Sequence, residues 1–152
     1  MKRTILITLA ITFSVLAGAQ EIKWEKGLYY SVSGQLFSGI YTEYYHSGSM
    51  KAEYAIQDGL LEGLSKYYYS DGTLKETVSC RKGQRHGVWT SYDRNGIKTG
   101  EATFLNDKKH GTWRVWDASG VLRCELTFCH GERQGPCQIY HENGTLAIAK
   151  DF

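Results

Sequence analysis

The sequence predicts an all-β protein: an elongated antiparallel meander of about five β-hairpin repeats, preceded by a cleaved signal peptide. Glycine recurs at a spacing of 24 residues, which indicates an internal repeat. Short runs between the glycines alternate apolar and polar side chains, as strands with one face in water do. Only one of the 152 residues is proline, which fits a sheet because proline removes a hydrogen-bond donor.

The chain begins with a segment that is typical of secretory signal peptides. A basic start precedes a mostly apolar stretch at residues 5–16, and the small residues Ala17-Gly18-Ala19 follow it. We expect cleavage after Ala19, which makes residues 1–19 the signal peptide and places the mature protein in the periplasm or outside the cell. No later stretch reaches the roughly 18 consecutive apolar residues of a membrane span.

The charge of the chain argues against one class of partner. It has 18 Lys and Arg residues and 16 Asp and Glu residues. Two of the basic residues belong to the predicted signal peptide, so the mature chain is balanced. Such a balance does not favour nucleic-acid binding.

Residues 20–38 resemble half of a repeat unit. Terminal units of repeat arrays are commonly atypical because they cap the array. We therefore expect residues 20–38 to be an N-terminal cap and residues 39–152 to be the repeat domain. The residues expected to cover the first sheet edge are Trp24, Leu28, Tyr29, Tyr30, Leu36 and Phe37.

Glycines and aromatic residues at fixed positions define the repeat domain. The first-position glycines are Gly39, Gly63, Gly87, Gly111 and Gly135. The second-position glycines are Gly48, Gly72, Gly96, Gly120 and Gly144. The third position holds Gly59, Gly83, Asp107 and Gly131. The aromatic column, five residues after each first-position glycine, is Tyr44, Tyr68, Tyr92, Trp116 and Tyr140.

Each unit predicts one β-hairpin. The second-position glycine follows Asn, Asp or Ser between two β-rich runs, as in Asn95-Gly96, and such dipeptides supply the positive φ of tight hairpin turns. In the strand that follows the turn, apolar residues alternate with polar ones, as Leu122, Cys124 and Leu126 do. Five units therefore predict ten short strands, with the thirteen glycines of the three repeat positions at turns. Because an isolated hairpin is marginally stable, stability is expected from the stacking of units.

The pattern of one unit resembles the MORN-variant repeat. It reads G-x-W-x-x-Y-x-x-x-G-x-L, and residues 87–92 and 111–116 carry its first half, with linkers at 82–87 and 108–111. The resemblance covers residues 36–152 and implies a scaffold without catalytic residues, with membrane-lipid contact in some arrays. Arrays behind a signal peptide are similar to the bacterial YwqK-family antitoxins, which implies neutralisation of a toxin by direct binding.

A second repeat family resembles one unit of the chain. The run Tyr-Tyr-His-Ser-Gly-Ser-Met at residues 44–50 is similar to the choline- or glucan-binding wall repeat. That family has shorter units that open on Gly-Trp, whereas the first two units here lack tryptophan. The MORN variant is therefore the preferred interpretation.

One set of basic side chains is a candidate for binding a partner. Arg85, Lys109 and Arg133 occupy one repeat column, and they are expected roughly 10 Å apart along one sheet edge because adjacent units lie two strands apart. The further residues of this basic edge are Arg81, Lys82, His86, Lys108 and His110. Such an edge suits an acidic protein, anionic lipid headgroups or a glycan. The alternative is that charged loops only keep the sheet soluble.

The aromatic column is a second candidate surface. Its residues recur with the 24-residue period, so they are expected to follow one another from unit to unit. The preferred interpretation is an internal ladder that holds the units together, since cross-strand aromatic pairs stabilise sheets.

Export would place the four cysteines where disulfides persist. Cys129 and Cys137 flank Arg133 symmetrically, so a turn about Arg133 would bring them together, and we predict a disulfide there. Cys80 and Cys124 are expected on strands four apart, so their Cα atoms would be roughly 19 Å apart. This distance exceeds the roughly 7 Å between Cα atoms that a disulfide spans. These two are interpreted as small apolar residues of the packed face.

A zinc site is the weaker alternative for this region. The cysteines lack the C-x2-C pair that is typical of structural zinc sites. His86 and His110 precede repeat glycines and are interpreted as part of the repeat. The residues considered for such a site are Cys124, Cys129, His130, Cys137 and His141. We therefore predict no metal and no cofactor.

The sequence contains no constellation that is typical of a catalytic site, so we expect a protein that is not an enzyme. The predicted function is that of an exported protein-binding scaffold, such as an immunity-like protein that neutralises a toxin. The alternative is an envelope-surface binder of anionic lipid or glycan through the basic edge.

Overall fold

The structure, a computed structural model, describes residues 22–150. The predicted signal peptide at residues 1–19 lies outside the described part, so its cleavage stays a prediction. Residues 22–150 form thirteen strands and no helix. The strands are β1 Ile22–Glu25, β2 Leu28–Ser31, β3 Gly39–Tyr44, β4 Met50–Gln57, β5 Leu60–Leu61, β6 Gly63–Tyr68, β7 Leu74–Arg81, β8 Gln84–Tyr92, β9 Lys98–Leu105, β10 Lys108–Trp116, β11 Leu122–Cys129, β12 Glu132–Tyr140 and β13 Leu146–Lys150.

The strands form two antiparallel sheets. β1 and β2 make a two-stranded sheet, and the other strands make an eleven-stranded sheet in which chain neighbours pair from β3 to β13. The short strand β5 lies off this path and pairs with β4. The predicted all-β meander of repeating hairpins is confirmed. The ten predicted strands correspond to the eleven-stranded sheet without β5.

One class of turns connects successive units. In these two-residue turns both residues have positive φ, as at Lys82 (50°) and Gly83 (79°) and at Asn106 (50°) and Asp107 (64°). Positive φ at both positions is the signature of the type I′ turn, so these turns are called the I′ turns below. In the eleven-stranded sheet they are Asp58-Gly59, Lys82-Gly83, Asn106-Asp107 and His130-Gly131.

The second-position glycines form a different turn within each unit. The amide of Gly96 donates to the carbonyl of Asp93 at 3.1 Å, and the amide of Asp93 donates to the carbonyl of Ile97 at 2.9 Å. Gly96 has a φ of 79°, and Asn95 is not among the residues with positive φ. The glycine therefore has the predicted positive φ, but because the residue before it does not, these turns are not of type I′.

The first-position glycines lie inside strands, which corrects the expectation that all repeat glycines are at turns. Cys80 pairs with Arg85 and Val78 pairs with Trp89, so β8 carries two more residues than β7 between these pairs. This irregularity is a β-bulge, and Gly87 within it has a φ of 98°. The strands β10 and β12 repeat the bulge around Gly111 and Gly135.

One face of the eleven-stranded sheet carries two clusters of aromatic rings and is called the aromatic face. The first cluster consists of Tyr41, Tyr54 and Tyr67, and Tyr29 of β2 packs against it. The second consists of Phe104, Trp113 and Phe128. Small side chains such as Ala52 and Ala102, each at most 1% exposed, fill the space between larger neighbours.

The opposite face carries a row of cross-strand neighbours that is called the polar row. It runs through Thr42, Glu53, Lys66, Thr77, Thr90, Glu101, Arg114, Glu125 and Gln138. Arg114 reaches the carboxylates of Glu125 at 2.7 Å and Glu101 at 3.4 Å. Such opposite charges on adjacent strands are favourable pairs.

The hairpin β1–β2 and the segment after it pack on the first I′ turn. The amide of Tyr29 donates to the carbonyl of Gly59 at 2.9 Å, and the amide of Gly59 donates to the carbonyl of Phe37 at 2.8 Å. Phe37 is buried, as expected of a covering residue, whereas Trp24 is 65% exposed and Leu36 is 48% exposed. The expectation that Trp24 covers the sheet edge is therefore wrong.

The bulge glycines generate a prediction for stability. Replacing Gly87 by alanine places a Cβ at a φ of 98° and 3.3 Å from the Cβ of Ser79. Since side chains rarely adopt this conformation, we expect the free energy of unfolding to fall by about 1–3 kcal/mol. Urea unfolding followed by tryptophan fluorescence measures it.

The control for this prediction is Val88→Ala, one residue further along β8. Val88 is 46% exposed, and it is not among the residues with positive φ. Its replacement should change the free energy of unfolding by no more than about 0.5 kcal/mol. Equal losses for Gly87→Ala and Val88→Ala would contradict the requirement for glycine in the bulge.

Candidate interaction surfaces

The basic column, which consists of Arg85, Lys109 and Arg133, lies partly against aromatic rings. The guanidinium of Arg85 is 4.2 Å from the ring centroid of Phe104, and its Nε is 3.0 Å from Oδ1 of Asp107. The ammonium of Lys109 is 4.4 Å from the centroid of Trp113 and lies close to a second ring. Arg133 pairs across the strands with Phe128 and is exposed. Arg85 and Lys109 therefore already make cation–π contacts within the sheet.

The I′ turns carry charges of both signs. The side chains of Arg81, Lys82 and Lys108 are exposed at this end of the sheet. Glu62 lies there as well, and its Oε2 accepts a hydrogen bond of 2.7 Å from the amide of Lys82. Hydrogen bonds from the amide and the side chain of Arg85 lower the pKa of Asp107, against a smaller opposing effect of burial.

The aromatic column does not form the predicted stacked ladder within the described residues. Its members lie at the strand irregularities beside the turns within units, as between Ser91 and Tyr92. Tyr68 donates to Oε2 of Glu53 at 2.6 Å, and Trp116 has the ammonium of Lys98 at 4.2 Å from its ring centroid. The rings that do contact one another belong to the two clusters of the aromatic face.

A row of apolar side chains that the sequence interpretation missed lies exposed on the face of the polar row. Ile40 is 57% exposed, Leu64 is 48% exposed and Val88 is 46% exposed. Each precedes the polar-row residue of its strand by two positions, so it projects to the same face. The three side chains are called the apolar row. Its signal in the sequence is an apolar residue directly after a first-position glycine, at a spacing of 24.

The cysteine geometry corrects the predicted disulfide. The chain turns at His130-Gly131, so that Cys129 pairs with Glu132 rather than with Cys137. The sulfur of Cys137 lies 3.7 Å from the sulfur of Cys124, and all four cysteines are free. The structure therefore does not bring Cys129 and Cys137 together, because the turn is centred at His130-Gly131 and not at Arg133.

Burial controls the reactivity of two of these thiols. Burial and the hydrogen bond with Cys137 raise the pKa of Cys124 to about 11. Burial raises the pKa of Cys80 as well. Because the thiolate is the reactive form of cysteine, both thiols are poor nucleophiles at neutral pH.

Two histidines of the basic edge have specific partners. Nδ1 of His86 lies 3.1 Å from Oδ1 of Asn106. The ring of His110 contacts the ring of His130, with centroids 5.4 Å apart. His110, His130 and Cys129 together place three ligand-type atoms within 4.8 Å of one another. The zinc site considered from the sequence groups Cys129 and His130 with Cys124, Cys137 and His141, whereas the structure groups them with His110.

These features define a repeat protein built from stacked β-hairpins. The family described as MORN repeat variant matches residues 61–79, 85–106, 109–130 and 133–151, which is more than half of the chain. The chain belongs to the MORN repeat variant family. No curated protein matches it. Within residues 22–150, no helix has the length and apolar character needed to cross a membrane.

The thiol environments generate a prediction for chemical modification. We expect iodoacetamide at pH 7 to modify Cys129 first, because it is the exposed cysteine. With a pKa of about 11, roughly one Cys124 in ten thousand is a thiolate at that pH. Mass spectrometry of tryptic peptides over time gives the order. Modification of Cys80 or Cys124 as fast as Cys129 would contradict these environments.

Proposed function

We propose that this chain is an exported, non-catalytic scaffold that binds another protein through the face of the polar row. The observation that carries the proposal is the apolar row, three large apolar side chains that the repeat holds in water at successive units. Exposed apolar groups arranged together mark interaction sites more often than isolated ones do. The signal peptide predicted at residues 1–19 supports a partner in the periplasm or outside the cell.

The surroundings of the apolar row suit a protein partner. Adjacent units lie two strands apart, so the three side chains are spaced roughly 10 Å from one another. The polar row runs beside them with paired charges, such as Lys66 and Glu53 at 3.4 Å. An apolar centre with a polar, charge-paired rim is the usual composition of a protein interface.

The finer proposal is that the partner is a toxin, which the chain neutralises by direct binding. The resemblance to the YwqK-family antitoxins and the predicted export support it. Binding that occludes a toxin needs an extended surface and no catalytic group. An open sheet face with repeated contact positions provides such a surface.

The alternative is a binder of anionic lipid or glycan at the I′ turns. The exposed cations Arg81, Lys82 and Lys108 favour it. The acidic residues at the same turns weaken the positive field there, as Asp107 does beside Arg85, and ring contacts hold Arg85 and Lys109 against the sheet. For this reason the protein partner is preferred.

The protein-binding proposal predicts a position-dependent crosslink. A photoreactive amino acid at position 64 should capture one discrete protein in cells, and the same group at position 148 should not. The captured protein should then bind the purified wild-type chain directly. The variant Leu64→Ser/Val88→Ser should weaken this binding at least tenfold, about 1.4 kcal/mol, because both side chains lose apolar contact area.

The matched control is Leu146→Ser/Ile148→Ser on the last strand. These residues are 54% and 53% exposed, so the control removes similar exposed apolar groups outside the row. Binding that both double variants weaken equally would argue against the apolar row.

For the antitoxin version, the captured protein should be toxic when produced alone, and the wild-type chain should relieve that toxicity. A harmless partner would remove the antitoxin version and leave the scaffold.

The lipid alternative has a separate test. If the I′ turns bind anionic lipid, the chain should sediment with phosphatidylglycerol vesicles and not with phosphatidylcholine vesicles. Charge reversal at Arg81, Lys82 and Lys108 should then abolish sedimentation, and added salt should weaken it. Sedimentation that charge reversal leaves unchanged would remove this alternative.

A further inference from the structure

We propose that His110, Cys129 and His130 form a site for a zinc ion at the last of the I′ turns. The ligand-type atoms of these three side chains lie within 4.8 Å of one another. Two of them belong to the end of β11 and the turn after it, and the third belongs to β10. The inference does not depend on the proposed function.

The strand register brings His110 to Cys129. Gly111 pairs with Phe128 in the antiparallel pair of β10 and β11. The next pair in that register is His110 and Cys129, which are therefore cross-strand neighbours. Side chains of directly opposed residues lie close together on one face of a sheet.

The turn geometry adds His130 to the same side. Consecutive residues of an extended strand project to opposite faces, so Cys129 and His130 would point apart in a straight strand. His130 instead has a φ of 51° as the first residue of its I′ turn. As a result, Nδ1 of His130 lies 3.2 Å from the sulfur of Cys129.

The equivalent positions of the other units satisfy each other with hydrogen bonds. Residues 20 apart meet at every I′ turn. The hydroxyl oxygen of Ser38 accepts a hydrogen bond of 2.8 Å from the amide of Asp58. Glu62 accepts one of 2.7 Å from the amide of Lys82. In the third unit, His86 and Asn106 make the 3.1 Å contact described above.

The last of the four I′ turns in the described part of the eleven-stranded sheet breaks this rule. His110 and His130 occupy the same pair of positions, yet Nδ1 of His110 is buried without a hydrogen-bond partner among the described residues. A buried polar nitrogen without a partner costs free energy. A metal ion bound by the three side chains would give His110 a partner at the one I′ turn of this sheet where the usual hydrogen bond is missing among the described residues.

The ligand set selects the type of ion. Imidazole nitrogen and thiolate sulfur are the ligands of zinc, whereas calcium and magnesium take oxygen. Zinc bond lengths in a tetrahedral site place neighbouring ligand atoms about 3.3–3.6 Å apart, so small side-chain rotations from the present arrangement suffice. Three protein ligands leave a fourth position for water or for a group from a partner.

The ammonium of Lys109, the residue before His110 on β10, does not repel an ion at this site. Lys109 precedes His110 and therefore projects to the other face. Its ammonium lies 4.4 Å from the ring centroid of Trp113 on the aromatic face. The positive charge is thus held on the opposite side of the strand from the proposed ion.

The site is tested with zinc and cobalt ions alone, using the reduced chain. Isothermal titration with Zn²⁺ should give one ion per chain. Titration with Co²⁺ should give thiolate-to-cobalt charge-transfer absorption, and Zn²⁺ should slow the modification of Cys129 by iodoacetamide. His110→Ala and Cys129→Ser should each weaken Zn²⁺ binding at least tenfold, because each removes a ligand.

The controls lie at the third unit and at the neighbouring thiol. His86→Ala and Cys137→Ser should keep wild-type affinity, since neither residue belongs to the proposed site. If Cys129→Ser binds Zn²⁺ as tightly as the wild type, or if Co²⁺ gives no charge-transfer absorption, the proposal is wrong. Circular dichroism of each variant shows whether a loss of binding reflects unfolding, and an unfolded His110→Ala is replaced by His110→Gln.

A transplant gives an independent arm. The third unit already has His86, and Leu105→Cys with Asn106→His reproduces the ligand set at its turn. If the turn geometry assembles the ligands, this variant should bind two Zn²⁺ ions per chain. A stoichiometry that stays at one would contradict that mechanism.

Discussion

Each unit of the sheet depends on a backbone hydrogen bond that joins an I′ turn to the unit before it. The amide of Gly83 donates to the carbonyl of Leu61, and the amides of Asp107 and Gly131 donate to Arg85 and Lys109. These carbonyls are 24 residues apart, so the bond repeats with the period of the sequence. Since a lone hairpin is marginal in water, this bond and the strand pairing between units hold the array together.

The bond also explains which residues the turn accepts. Both turn residues must have positive φ for the second amide to face the preceding unit, and glycine adopts that conformation at least cost. Asp107 takes the second place in one turn with a φ of 64°. Its carboxylate accepts hydrogen bonds from the amide and the side chain of Arg85, which offset the strain.

The period and the alternation of side chains were sufficient to predict the fold class, the hairpins and the order of strands. They were not sufficient to separate turn glycines from bulge glycines, because both need positive φ and read alike in the sequence. That ambiguity explains the error in the cysteines. Counting outward from Arg133 placed the turn midway between Gly131 and Gly135, whereas the chain turns at His130-Gly131 and Gly135 lies in the bulge of β12. The apolar row and the histidine cluster depend on the same register, so neither could be located before the bulges were known.

The two faces of the sheet carry different side chains because successive residues of a strand project to opposite faces. On the aromatic face, Phe104, Trp113 and Phe128 fill the space between units, and the cations of Arg85 and Lys109 lie over these rings. On the other face, opposite charges pair along the polar row. The residue after a first-position glycine lies beside this row and is largely exposed in the first three units. An apolar side chain at that position stays about half exposed, as Leu64 and Val88 do. Because this exposure repeats in register over three units, the apolar row is the surface that the proposed partner would contact.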